Sequence, residues 1–144
     1  MHNATDASLD RFVHAQHDTY AGALAELKSG KKLGHWMWFV FPQLRGLGVS
    51  ATSTRYGIAD IAEAGLYLQH PVLGRRLLEC THAVLGLGAL SLVELFGSPD
   101  ELKFVSCMTL FSAVHEAPDA FNQALSRFNH GNRDSQTQRL LATR

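Results

Sequence analysis

Neither sign of charge predominates in this chain. Thirteen lysines and arginines face thirteen aspartates and glutamates, so the formal net charge is zero with the histidines neutral. General nucleic-acid binders and membrane-surface proteins usually carry a basic excess, so neither partner is expected, which leaves room only for a local basic pocket. Long hydrophobic runs are also missing: none approaches the roughly 18 residues of a membrane span. The opening MHNATDASLD lacks the charged and apolar regions of a secretory signal. Cysteine is scarce, with Cys80 and Cys107 alone, both in apolar surroundings. Without an export signal they read as reduced, buried thiols, and the chain reads as cytoplasmic.

Alternating strand patterns are absent, and so are hairpin signals such as Asn-Gly between apolar runs. No internal repeat or low-complexity segment occurs. With 144 residues, 46% of them hydrophobic, there is enough apolar material for one core. The expectation is an all-α fold: a single compact domain over 1–144, its core within 8–142, about seven helices by period and one long Gly/Ser/Thr loop.

What is present is helical spacing. SLDRFVHAQHDTYAGALAELKSGKK reads as one helix, capped by Ser8 or Asp6 and ended by Gly30. Its apolar stripe is Leu9, Phe12, Val13, Tyr20, Leu24 and Leu27. Gln16 sits in the middle of that stripe, where an amide needs hydrogen-bond partners. LGHWMWFVF, between Gly34 and Pro42, is too short for period to separate strand from helix; with no partner strand nearby, a short helix is favoured. QLRGLGVSATST has no period and reads as a loop, and a loop of that length in a compact domain usually serves function or is disordered. IADIAEAGLYLQH reads as a helix that stops before Pro71. PVLGRRLLECTHAVLGLG, LSLVELFG, SPDELKFVSCMTLFSAVHE, PDAFNQALSRFNHG and DSQTQRLLATR follow as helices. Gly86, Gly88, Gly97 and Gly131 separate them, and a cap with Pro99 opens the third. In that helix Leu102, Phe104, Val105, Met108, Leu110, Phe111 and Val114 cover almost the whole circumference, so it is expected at the centre. Lys103 lies near its N-terminus, on the unfavourable side of the macrodipole, and should point to solvent, a carboxylate or a bound anion.

Several residues can carry chemistry. GLGVSATSTR offers open backbone N–H groups, the hydroxyls of Ser50, Thr52, Ser53 and Thr54, and Arg55; such groups can line an anion pocket. It is no P-loop, since no Gly-Lys-Ser/Thr follows, and Ala51 holds the third glycine position of a dinucleotide fingerprint; a plain solvated loop fits as well. Trp36 and Trp38 are two apart and cannot share a helix face. One can be core while the other lines a cleft, though both being core is the commoner outcome. A flat ring beside an anion loop suits a nucleotide-like ligand. Glu63, Tyr67 and His70 can share one helix face, where a carboxylate and an imidazole can act as general base and acid. An ordinary polar surface is the plainer reading of that face, and His70, just before Pro71, can simply cap a backbone group. Eight histidines raise the question of metal. His14 and His17 come with no HExxH, Cys-His cluster or carboxylate triad, so no metal is expected. No G-x-S-x-G elbow occurs, and neither cysteine sits in a nucleophile motif.

RFVHAQ with Tyr20, HWMWFVFPQLRGLGVS, YGIADIAEAGLYLQHPVLGRRL, FGSPDELKFVSCMTLF and the closing HGNRDSQTQRLL together resemble a family of small proteins of unknown function from bacteria and some fungi. Its members are sometimes labelled calpastatin-like. The resemblance runs from Leu9 to Leu141, its W-x-W-F-x-F-P-Q block is specific, and it implies a compact, mostly helical fold. The calpastatin label carries little weight, because calpastatin's inhibitory segments are short and disordered and this chain is apolar and compact. The family's polar motif positions fall on Arg11, Gln16, Tyr20, His35, Gln43, Ser50, Tyr56, Glu63, Tyr67, His70, Arg76, Lys103, Ser106, Thr109 and Asp134. Cys107 stands where a small polar residue is expected and Phe104 where an aliphatic is usual.

These residues admit three readings. In the first, the protein takes a small anionic, nucleotide-like ligand without metal or cofactor. Gln16, Tyr20, His35, Trp36, Trp38, Gln43, Gly48, Ser50, Arg55, Tyr56, Tyr67, Lys103 and Ser106 form the ligand-binding set, with Glu63 and His70 as catalytic acid-base candidates. Metal-independent hydrolysis or group transfer is then the expected class, with a glycosidic bond as one target. In the second, the protein is a non-catalytic interaction module with a groove for a peptide or helix. In the third, the polar set is a buried network that fixes the fold. The sequence leaves the oligomeric state open.

Overall fold

Apolar residues at helical spacing fold into ten helices and no strand among the described residues of the computed structural model, which covers residues 4–144 with side chains from Ser8 onward. The first expected helix is two: α1 (Ala4–Gln16) and α2 (Tyr20–Ser29). The break falls on His17, Asp18 and Thr19, three residues of low helix propensity. Ser8 lies inside α1 and so does not cap it; the side chain of Asp6 lies outside the described residues. Gly30 ends α2 as expected, in the left-handed conformation at φ 86°, with its N–H on the Glu26 and Leu27 carbonyls.

The aromatic block forms a single turn, α3 (Met37–Val40). The stretch expected to be loop contains a helix, α4 (Ala51–Arg55). Ser50 caps it, its Oγ accepting from Ser53 N at 3.1 Å. The segment is pinned at its ends by one parallel bridge between Leu44 and Ile58. There Ile58 N donates to the Gln43 carbonyl at 2.9 Å and Arg45 N to the Ile58 carbonyl at 2.8 Å. A five-residue helix cannot stand alone, so these pins and the cap decide its formation, and period does not reveal it.

Then come α5 (Ile61–Gln69), α6 (Leu73–Leu85), α7 (Leu92–Phe96), α8 (Asp100–Ser112), α9 (Ala120–Phe128) and α10 (Ser135–Ala142). Asp60 caps α5, Ser91 and Glu94 form a capping box on α7, and Asp134 caps α10. α8 starts after Pro99 with no side-chain cap, contrary to expectation. Ten helices replace about seven because the first is divided and α4 hides in a polar stretch.

α8 runs through the centre, against α5, α7, α9 and α10. Its Phe104, Cys107, Met108, Leu110 and Phe111 are buried. Phe104 meets Phe41 at 5.1 Å and Phe96 at 5.2 Å between ring centroids; further along, Phe111 meets Tyr67 at 5.3 Å and Phe121 at 5.9 Å. Such pairs add about 0.5–1.5 kcal/mol each beyond their buried area. One side departs from the expected all-round burial: Leu102 is 63% exposed. Among the described residues no helix is long and apolar enough to cross a membrane.

Candidate functional site

That exposed side of α8 forms one wall of a cleft of about 330 Å³. Pro99, Leu102, Lys103 and Ser106 make this wall. Opposite stand Trp38 from α3 and Gln43, Leu47 and Gly48 from the chain after it, while Asp134 and Gln136 come from the head of α10. Asp134 N donates to Thr109 Oγ1 at 2.9 Å, which fixes the head of α10 nearly two turns along α8 from Lys103.

Lys103 Nζ donates to Asp100 Oδ1 at 3.0 Å and lies 4.3 Å from the Trp38 ring centroid. The other Asp100 oxygen takes Lys32 Nζ at 2.9 Å. Burial alone would raise the Asp100 pKa, but the two lysines, by hydrogen bonds and charge, outweigh it and hold the carboxyl below its usual range. Two ammonium groups thus share the Asp100 carboxylate; Lys32 also lies close enough to Glu26 to help lower that carboxyl's pKa, and only Lys103 of the two lines the cleft.

The rest of the cleft is polar and incompletely paired. Gln43 is only 9% exposed, yet its side-chain amide has no hydrogen-bond partner among the described residues; it opens into the cleft. Ser106 donates to the Leu102 carbonyl at 3.1 Å, which leaves its lone pairs to accept. Asp134 caps α10 through Oδ2 alone, at 2.8 Å to Thr137 N and 2.6 Å to Thr137 Oγ1; its Oδ1 has no partner among the described residues. The N–H groups of Gly48, Val49 and Ser50 likewise have no protein acceptor there. A Cβ on Gly48 would meet Ser53 Oγ at 2.9 Å, so only glycine lets this strip of backbone lie against α4.

Trp38, Gln43, Gly48, Lys103 and Ser106 are thus brought together, and the other sequence-selected residues stand elsewhere. Glu63 clamps α1 to the start of α5: it accepts from Ser8 Oγ at 2.6 Å, Ala59 N at 2.8 Å and Arg11 Nη2 at 3.4 Å. Burial pushes its pKa up, but these donors win and lower it. Arg11 also donates to the carbonyls of Arg55 at 2.6 Å and Gly57 at 2.8 Å. Gln16 holds a third cluster. Its Nε2 donates to the Phe39 carbonyl at 2.6 Å and the Tyr67 hydroxyl at 3.2 Å, and its Oε1 accepts from Arg76 Nη1 at 3.3 Å. Burial raises the Tyr67 pKa. Tyr20 donates to Glu79, with Arg76 4.6 Å from its ring centroid.

His70 Nδ1 accepts from Val72 N at 3.1 Å and Leu73 N at 3.2 Å, serving the otherwise uncapped start of α6. Trp36 is buried, its Nε1 donating to Glu26 at 2.9 Å, whereas Trp38 is half-buried. His35 is exposed, Ser50 is spent on capping α4, and Arg55 lies exposed, 5.5 Å from the ring centroid of Tyr56, which itself packs on Phe39. Burial pushes the Cys80 thiol up to about 12 and Cys107 well above its ordinary value, so both stay protonated at neutral pH. No group of three or more His, Cys, Asp or Glu able to hold a metal ion occurs among the described residues.

The sequence reading passed over Asp100 and Lys32. Asp100 lies three residues before Lys103 in one helix, a spacing that brings such pairs into contact, so its pairing was legible. Lys32 comes from a segment distant in sequence and gave no signal.

The fold and this cleft can be set beside known proteins. No curated protein matches the chain. A crystal structure of the conserved hypothetical protein Rv1873 from Mycobacterium tuberculosis is similar, with 50% identity and a TM-score of 0.91, over 93% of this chain and 96% of that one. The family model described as "Protein of unknown function (DUF1810)" matches residues 6–141, and the chain therefore belongs to that family.

Proposed function

We propose that this protein binds a small anionic ligand in the cleft between α8, the Gln43–Gly48 segment and the head of α10. The observation that carries the reading is the Lys103 ammonium held over Trp38 in the same cleft as an unpaired Gln43 amide. The Gln43 amide has no protein partner among the described residues and reaches solvent only at the cleft, and a cation at a helix N-terminus is unfavourable. Both groups improve when an anion with further polar atoms occupies the cleft. Glu63 and His70 do not line it, so we assign them to holding the fold and the cleft to binding. Free, buried Cys80 and Cys107 suit a reducing compartment, and we take the protein to be cytoplasmic.

Thermal shift with a panel of phosphates, carboxylates and their neutral analogues tests this. A ligand at 100 times its Kd stabilises the native state by about 2.7 kcal/mol. The expected result is a rise in Tm with anionic members that Lys103→Ala abolishes. A flat response across the panel, with no heat in calorimetry, refutes it.

One observation favours a second reading, a non-catalytic interaction module. Val49, fully exposed, and Leu102 put apolar surface beside and on this cleft, as a peptide or helix groove would. Under that reading the small-molecule panel stays silent and Val49→Ser weakens partner binding.

A further inference from the structure

We infer that the ligand of this cleft is two-ended, a phosphate monoester of a polyhydroxy compound, with its phosphate at Lys103 and its hydroxyls at Asp134. The inference rests on the anion-binding reading above and adds the other end of the ligand.

The argument starts from α8. Lys103, Ser106 and Thr109 follow one another at three-residue intervals on one side of the helix, and Asp134 is tied to the level of Thr109. At a rise of about 1.5 Å per residue, six residues separate the cationic and acidic ends by about 9 Å along the axis. A bare oxyanion cannot reach both. Between them lie acceptors rather than donors. Ser106 has already given its proton to the Leu102 carbonyl, and Asp134 Oδ1 is a carboxyl oxygen with no partner among the described residues. A row of acceptors selects hydroxyl or amine donors on the ligand. Gln43, 9% exposed and unpaired, supplies one acceptor and a donor pair, as neighbouring hydroxyls require. A neutral polyol satisfies this end and leaves the Lys103 end unmatched.

Charge and size narrow the class further. A second phosphate on the hydroxyl end would meet a like charge at Asp134, which favours monophosphates over bisphosphates. The volume of about 330 Å³ sits at the small end of ligand clefts, which run from about 300 to 1,000 Å³. Sugar monophosphates and nucleoside monophosphates share the required chemistry.

Calorimetry with inorganic phosphate, ribose, ribose 5-phosphate, ribose 1,5-bisphosphate and AMP separates the possibilities. Ribose 5-phosphate or AMP should bind at least about tenfold tighter than inorganic phosphate, ribose should not bind measurably, and ribose 1,5-bisphosphate should be weaker than ribose 5-phosphate. A clear gain of AMP over ribose 5-phosphate assigns the cleft to nucleotides; parity assigns it to sugar phosphates. Asp134→Asn keeps an oxygen for the α10 cap, since asparagine caps as well as aspartate, and removes the second carboxylate oxygen. It should weaken the esters about tenfold, the worth of one charged hydrogen bond, and leave inorganic phosphate as tight or tighter. Should that variant fold poorly, Gln43→Leu gives the same comparison. Esters no tighter than inorganic phosphate, or a preference that survives both variants, overturn the two-ended ligand and leave the anion site standing. No Lys103-dependent binding of any anion removes both.

Discussion

A glutamine amide takes its hydrogen bonds from the protein or from solvent, and two glutamines here differ on that point. Gln16 spends both ends of its amide on Phe39, Tyr67 and Arg76, whereas Gln43 spends neither. The sequence marks Gln16 as an amide in an apolar stripe and Gln43 as a polar motif position, and neither mark records which partner reaches the residue. That is why a single polar set was expected and separate clusters appear. Glu63 shows the consequence. Its folded pKa is lowered below the unfolded value of about 4.3. The stabilisation it gives is complete above that unfolded value and disappears as pH falls through the folded pKa. Urea denaturation near neutral pH should find Glu63→Gln less stable by about 1–3 kcal/mol. The gap should narrow as pH falls below the unfolded value and through the lowered folded pKa, where the carboxylate becomes protonated in both states. A gap of constant size across that range would show that charge is not what holds the clamp.

Among the elements, the α5–α6 junction is the tightest. A Cβ on Gly74 would stand 2.0 Å from the Leu68 carbonyl oxygen, so α6 can leave α5 at this angle only with glycine in its first turn. Gly74→Ala should cost at least about 2 kcal/mol, within the range for overpacked sites. Gly86→Ala is the control: its nearest neighbours would be at 3.4 Å and its φ is −79°. There alanine should be neutral or stabilise by up to about 1 kcal/mol through the unfolded chain. Equal Tm losses in the two would refute the close-approach argument. Most helices were legible, because a 3.6-residue period and glycine or proline stops are local properties. α4 was not. It depends on the Ser50 cap and on Arg45, whose side chain donates to the carbonyls of Thr54 at 3.1 Å and Gly57 at 3.0 Å. Ser50→Ala should therefore cost about 1 kcal/mol and loosen the segment next to the cleft, measurable as faster amide exchange from Ala51 to Arg55.

Across the whole molecule the polar residues divide by what their removal does. Gln16 and Glu63 join segments distant in sequence and have no unmet valence, so the native state needs them. Lys103 and Gln43 are different. Asp100 keeps Lys32 at 2.9 Å when Lys103 is removed, and a leucine at 43 would replace an unpaired amide by apolar surface. Functional sites commonly hold groups that the fold would be more stable without. Equilibrium unfolding should therefore sort four variants into two pairs. Gln16→Leu and Glu63→Gln should each lose about 1–3 kcal/mol. Lys103→Ala should stay within about 1 kcal/mol of the parent, the worth of a partly exposed ion pair, and Gln43→Leu should be neutral or gain. Lys103→Ala should abolish anion binding and Gln43→Leu should weaken the phosphate esters, while the first pair, measured where each is still folded, should bind as the parent does. Residues of the two pairs share no hydrogen-bond partner, so a Glu63→Gln, Gln43→Leu double variant should show the sum of the single effects. A large loss from Gln43→Leu would mean that its amide is bonded in solution, and the cleft would then be part of the scaffold.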